Sequence, residues 1–242
     1  VLAYPTQRYP DLWRDCSAAP RELTTKGTYM ARIAVIGGNG YAGSNIVAEA
    51  ARRGHEVLSI SRTVPADQRE GVTYLVGTLL DVPALLEQLQ GVDVVALAIA
   101  ARGEMLGQVR PNSAALVAGL PEGVRVGVVG GAGGTLIAPG GERLIDQPSF
   151  TEEYKPEALE AIGVLHDLQA TPESRDWFYV HPAGGFGPWN EGERTGTYRD
   201  GGDMLVTDAE GESNISGADF AVAFVDEIEH PKHSRERFSV GY

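Results

Sequence analysis

The chain has 242 residues, 33 of them Asp or Glu and 20 Lys or Arg, for a formal net charge of −13. That length can bury a full core as one domain, and the acidic balance opposes nonspecific attraction to nucleic acid or anionic membranes, so neither is expected as a partner. No window approaches the roughly 18 apolar residues that span a bilayer, and Cys16 is the only cysteine, which excludes an internal disulfide or a cysteine-based metal cluster; a soluble, cytoplasmic protein is expected.

Residues 1–29 carry three prolines and scattered charges but no apolar signal-peptide core. They read as a leader ahead of a domain that starts at Met30; the alternative is an arm packing through Tyr9, Leu12 or Trp13. The short apolar run Arg32-Ile33-Ala34-Val35-Ile36 then enters a turn with glycines at 37, 40 and 43, spaced G-x-x-G-x-x-G, and Ser44 to Arg53 reads as a helix with Ile46, Val47 and Ala50 inward. Glycines suit such a turn because it needs backbone angles closed to larger residues. A Cβ would also hold a pyrophosphate away from the amides at the helix N-terminus. After Gly54-His55, Glu56 to Ile60 reads as a second buried parallel strand, completing a βαβ unit. Enzymes that use NAD usually end that strand with Asp or Glu for the ribose hydroxyls; here Ser61-Arg62-Thr63 follows. The Arg62 guanidinium suits the 2′-phosphate of NADP, which a carboxylate would repel.

Further strands are expected at Gly71–Gly77, Asp93–Ile99, Val124–Val129, Trp177–Val180 and Arg237–Val240. Helices are expected at Val82–Leu89, capped by Asp81 with Pro83 near its start, and around Asn112–Ala118, Pro156–Gln169 and Ser216–Glu229. Gly130–Ser149 and Gly184–Gly202 read as long loops. The alternation predicts one α/β domain over residues 30–242, a Rossmann-like, doubly wound parallel sheet of about seven strands. Ligands in such sheets lie at the strand C-terminal ends, so the turns after the first four strands converge on the dinucleotide and the two long loops form a substrate cleft.

Among possible chemical groups, His230 and His233 are interrupted by Pro231-Lys232 and lack a third ligand, so no metal is expected. Asp226, Glu227 and Glu229 read as a solvated helix end. His166 and His181 are possible acids or bases, since histidine is the side chain that normally changes charge near neutral pH, and His181 lies on the expected nicotinamide rim. Trp177, Phe178 and Tyr179 read as strand packing, whereas Phe186 and Trp189, in the long loop, are candidates to face a planar substrate.

These residues, together with Gly77-Thr78-Leu79-Leu80-Asp81, Gly91-Val92-Asp93-Val94-Val95, Gly130-Gly131-Ala132-Gly133, Tyr154-Lys155-Pro156-Glu157-Ala158, His181-Pro182-Ala183 and Ile215 to Ala221, resemble the atypical short-chain dehydrogenase/reductases. The likeness covers Met30 to Tyr242 and is greatest to the NmrA-like and NAD(P)H:flavin reductase branch, which is similar to biliverdin reductase B. The resemblance implies NADP(H) in preference to NAD(H). Gly37, Asn39, Gly40, Tyr41, Ala42 and Gly43 would lie on the pyrophosphate, Ser61 and Arg62 at the 2′-phosphate, Thr78 and Leu79 at adenine, and Ala98, Ile99 and Ala100 at the adjacent ribose. Gly130 would also contact the cofactor, and Pro182 would sit beside the nicotinamide.

One departure from the family pattern bears on catalysis. Its dehydrogenases use Tyr-x-x-x-Lys, in which the lysine lowers the tyrosine pKa for proton transfer. Here Tyr154 and Lys155 are adjacent, and neighbours on a helix point about 100° apart. Flavins and quinones accept hydride with delocalised charge, so alignment of rings without a dedicated acid suffices. The expected activity is therefore NADPH-dependent reduction of a small planar acceptor. Alternatives are an NADP(H)-binding redox sensor of NmrA type and an epimerase or dehydratase that retains its cofactor.

Overall fold

The computed structural model describes residues 30–242, so the expected leader or arm at 1–29 lies outside the described residues. Among the described residues, eight strands form one sheet: β1 (Arg32–Ile36), β2 (Glu56–Ser61), β3 (Val72–Val76), β4 (Val94–Leu97), β5 (Arg125–Val129), β6 (Trp177–His181), β7 (Arg199–Asp200) and β8 (Glu236–Gly241). Their order is β3-β2-β1-β4-β5-β6-β8-β7, parallel except for β7, which runs antiparallel to β8. Five α-helices cover the sheet: α1 (Tyr41–Arg52), α2 (Val82–Gln88), α3 (Val109–Gly119), α4 (Lys155–Gln169) and α5 (Gly217–Glu229).

Strand periodicity divides the core. Ile33 and Val35 face α1 and α5 with Ile46, Val47, Phe220 and Phe224, while Ala34 and Ile36 face the α2, α3 and α4 side with Leu85, Leu116 and Leu165. Burial on both faces is why the strands read as continuous apolar runs. Local signals set the helix starts. The Asp81 carboxylate accepts from the Ala84 amide at 3.2 Å to open α2, and the Ser216 hydroxyl accepts from Asp219 N–H at 3.0 Å to open α5.

The structure differs from expectation in two places. The eighth strand, β7, sits inside the long loop, where two exposed residues carry no apolar alternation to betray them. The acidic end of α5 is also not simply solvated: Arg53 donates to Asp226 and Glu229, at 2.6 and 2.5 Å, and buried Glu227 accepts from Arg125 at 2.6 Å. His233, a rejected metal candidate, lies between Glu227 and Asp200, at 2.9 and 3.1 Å, stacked on Phe238. Among the described residues, no helix is long and apolar enough to cross a membrane.

Candidate cofactor and substrate site

β1 lies between β2 and β4, where the chain first turns outward from β1 to β2 and β3 and later resumes at β4 on the other side. This is the switch point at which open α/β sheets bind ligands. The glycine turn fills it. Gly37 has φ +91°, and a Cβ there would stand 2.3 Å from the Ala98 carbonyl oxygen; a Cβ on Gly43 would stand 2.1 Å from the Gly37 oxygen. These two glycines are demanded by the fold itself, because turn, helix and β4 approach at backbone distance. Gly40 differs. Its φ of −72° suits any residue, and a Cβ would meet only the Gly37 and Ala98 oxygens, at 3.2 and 3.8 Å. Exposed at the α1 N-terminus, Gly40 leaves the first-turn amides open to an anionic group, the cradle a pyrophosphate requires. The residues present fit a dinucleotide.

The turn is tied to the end of β2. Gly37 N–H donates to the Ile60 carbonyl at 2.8 Å, Asn39 N–H to the Ser61 hydroxyl at 2.9 Å, and Asn39 Nδ2 to the Thr63 carbonyl at 2.7 Å. Asn39 and Ser61 thus hold the segment that presents Arg62. The Arg62 guanidinium is exposed and ion-paired to Glu104, in the loop after β4. Thr78 is half-buried beside this end of the sheet, but Leu79 is enclosed in the core and offers a ligand no side-chain surface. The Tyr41 ring turns away from the helix N-terminus: its hydroxyl accepts from Gly217 N–H at 3.0 Å, and the ring packs on Phe186 with centroids 5.1 Å apart. Ala42 is half-buried behind it.

Further along the crevice, Ala98 and Ile99 are half-buried and Ala100 exposed. Gly130 rests on the ring of Tyr179, where a Cβ would come within 2.0 Å of ring carbon, and Gly134 rests on His181, with 2.8 Å to ring carbon. Tyr179 and His181 share one face of β6, with ring centroids 4.8 Å apart, so they form a buried platform under the Gly130–Gly134 loop. His181 Nδ1 donates to the Gly131 carbonyl at 2.8 Å, while its buried Nε2 has no partner among the described residues. Burial lowers the His181 pKa to about 4, so the ring is neutral near pH 7. Pro182 follows, buried at the strand end. Sealed and neutral, His181 is poorly placed to exchange protons with a substrate.

Tyr154 is 52% exposed at the end of a short 3-10 turn, and the Lys155 ammonium pairs with Glu152. No tyrosine–lysine dyad is assembled there. Tyr154→Phe is therefore expected to slow turnover less than about tenfold; a much larger fall in kcat at unchanged KM would make the phenol catalytic. Of the two loop aromatics, Phe186 is half-buried between Tyr41 and Phe220. Trp189 is 63% exposed, with the Arg102 guanidinium 5.9 Å from its ring centroid. Arg102 pairs with Glu157 of α4, so the loops after β4 and β6 meet at α4 through these side chains. A cavity of about 360 Å³ lies elsewhere, between α3 and α4, with Arg110, Val117, Leu168 and Arg175 in its walls. None of the residues assigned to the crevice lines it.

Sequence reasoning missed Glu104, Arg102 and the Tyr179–His181 platform. The glycines at 130, 133 and 134 were a legible sign of close approach; nothing local pairs Glu104 with Arg62, because only the strand order brings their loops together.

A family model described as NAD(P)H-binding matches residues 37–231. Among solved structures, a protein of Burkholderia pseudomallei provisionally described as exported is 39% identical, with TM-score 0.78 over 88% of this chain and 100% of that one. A Streptococcus pneumoniae TIGR4 protein provisionally described as an NADH-flavin reductase is 35% identical, with TM-score 0.74 over 87% and 99%. A Bacteroides thetaiotaomicron protein provisionally described as an epimerase is 33% identical, with TM-score 0.79 over 88% and 98%. Chains of similar identity thus share the fold under different functional descriptions.

Proposed function

Because this chain belongs to the NAD(P)H-binding family, we propose that it is an NADPH-dependent oxidoreductase delivering hydride to a small planar acceptor such as a flavin or quinone. The observation that carries the proposal is the glycine turn, where Gly40 is exposed at the α1 N-terminus. When bound, the nicotinamide supplies the hydride, and the chain's residues supply binding and alignment. The amides at the start of α1 receive the pyrophosphate, and Arg62 receives the 2′-phosphate. Ala98 to Ala100 border the ribose. Gly130, held at its height by Tyr179, and Pro182 shape the nicotinamide end. Trp189 offers its exposed face to a flat acceptor. With Lys155 engaged by Glu152 and His181 sealed, catalysis rests on positioning, and the acceptor takes its proton from solvent. The provisional description of the Streptococcus relative supports the acceptor class.

The test is NADPH oxidation, followed by nicotinamide absorbance, with FMN and a simple quinone offered separately and NADH as the control. Saturable consumption favouring NADPH is the expected result. Binding without consumption would favour a second reading, a redox sensor of NmrA type, which the separation of Tyr154 from the Lys155–Glu152 pair supports. For the cofactor, Arg62→Ala is expected to weaken NADPH binding by about 1.5–3 kcal/mol, the range for hydrogen bonds to a charged group, with NADH nearly unaffected. Equal losses in calorimetric titrations of both would remove Arg62 from the 2′-phosphate site.

A further inference from the structure

Arg62 directly follows β2, and Glu104 sits in a 3-10 turn of the loop after β4. β1 lies between those strands, so the ion pair bridges the two loops flanking the end of β1, a span of two strand spacings or about 10 Å. It therefore crosses the mouth of the crevice at its adenosine end. The side chains are 67% and 60% exposed, so nothing buried locks the pair together. Arg62 is the only cation in the Ser61-Arg62-Thr63 segment, and it already has an anionic partner.

We infer that Glu104 is a specificity-determining residue that competes with the 2′-phosphate for Arg62 and so moderates the preference for NADP(H) over NAD(H). The inference rests on the reading of Arg62 as the 2′-phosphate ligand. A phosphate monoester carries more charge than a carboxylate and presents three acceptor oxygens to the guanidinium fork, so it displaces Glu104. The displaced carboxylate stays on the neighbouring loop, where its charge opposes the phosphate. When the ribose carries no phosphate, the pair stays closed and Arg62 remains neutralised. NAD(H) then meets no uncompensated cation, and the 2′-phosphate gains less than it would from a free arginine.

Adenosine 2′,5′-bisphosphate and 5′-AMP differ by the single phosphate in question, and their binding to the full chain can be titrated calorimetrically without any turnover. Glu104→Ala is expected to tighten the bisphosphate by about two- to tenfold, the lower part of that range being the release of an exposed ion pair, and to leave 5′-AMP unchanged. Glu104→Gln, which removes the charge but keeps the shape, should move the same way. In an Arg62→Ala background the gain should shrink to the part that comes from the carboxylate's repulsion of the phosphate. Unchanged bisphosphate affinity in both Glu104 variants, or an equal gain for 5′-AMP, would overturn the inference. The Arg62 reading fails separately: it falls if Arg62→Ala alone leaves the ratio of bisphosphate to 5′-AMP affinity as in the wild type. If Arg62→Ala lowers that ratio while Glu104→Ala has no effect, the phosphate site stands and the competition does not.

Discussion

Gly40→Val is expected to abolish binding of both NADPH and NADH while leaving the protein folded. The backbone at 40 is in an ordinary extended conformation, and inside the protein the first added carbon comes 3.8 Å from the Ala98 oxygen and 3.2 Å from the Gly37 oxygen, a tight contact that the turn must yield a few tenths of an ångström to accept. The cost to the fold is that of a poor N-cap, about 1 kcal/mol. On the outward side, the isopropyl group occupies the space through which a pyrophosphate reaches the α1 amides. Thermal unfolding separates this from general damage: a small drop in Tm with lost binding is expected, and unchanged titration curves would refute the pyrophosphate assignment. Gly43→Val is not an equivalent experiment. Its Cβ would collide with the Gly37 carbonyl and disturb the turn with or without a ligand.

The second large effect is on stability against pH. The folded-state pKa of His181, lowered by burial to about 4, lies below the 6.5 expected of an unfolded chain. Between those values the unfolded state binds a proton that the folded state refuses. The contribution is thus complete above pH 6.5 and declines as pH falls toward 4. From pH 7 to 4.5 this amounts to about 2 kcal/mol. His55, also lowered by burial, acts in the same direction. Glu49 acts lower on the scale: hydrogen bonds from Arg52 and Arg53 outweigh its burial and hold it at about 2, so its contribution is lost between pH 4.5 and 2. Urea unfolding at pH 7 and 4.5 should show the loss in the wild type and a flatter dependence in His181→Gln. Equal slopes in the two proteins would mean that His181 is not the group refusing the proton.

The legible parts of the fold are those where one physical demand dominates several consecutive residues. Arg32–Ile36 and the glycine turn could be read because a doubly buried strand must be apolar and the turn at its end needs Gly37 and Gly43. Asp81 and Ser216 announced their helices because capping is local chemistry. Trp177, Phe178 and Tyr179 read correctly as strand packing, and all three are enclosed. The site was harder to read, because its pairs are nonlocal. His181 drew attention for its ordinary pKa, and only the closure of the Gly130–Gly134 loop over it shows why that value does not apply. Tyr41 sits in the glycine turn by sequence, yet its side chain belongs to the contact between α1 and α5. Arg62 was singled out for its charge; Glu104, 42 residues further on, became its partner through strand order.

The two-residue strand β7 also bears on self-association. A parallel sheet offers unpaired amides and carbonyls along its outermost strand, and β8, with Phe238 and Val240 in its centre, would be an attractive template for a strand of another molecule. β7 closes part of that row by pairing Arg199 with Gly241 and Asp200 with Val240, and it places a charge of each sign at the boundary. The Arg199 guanidinium reaches past the pairing to the Thr207 carbonyl at 2.6 Å, anchoring the cover to the chain that follows it. A segment that contributes almost nothing to the core thereby shortens the row of unpaired backbone groups that edge-to-edge pairing would need.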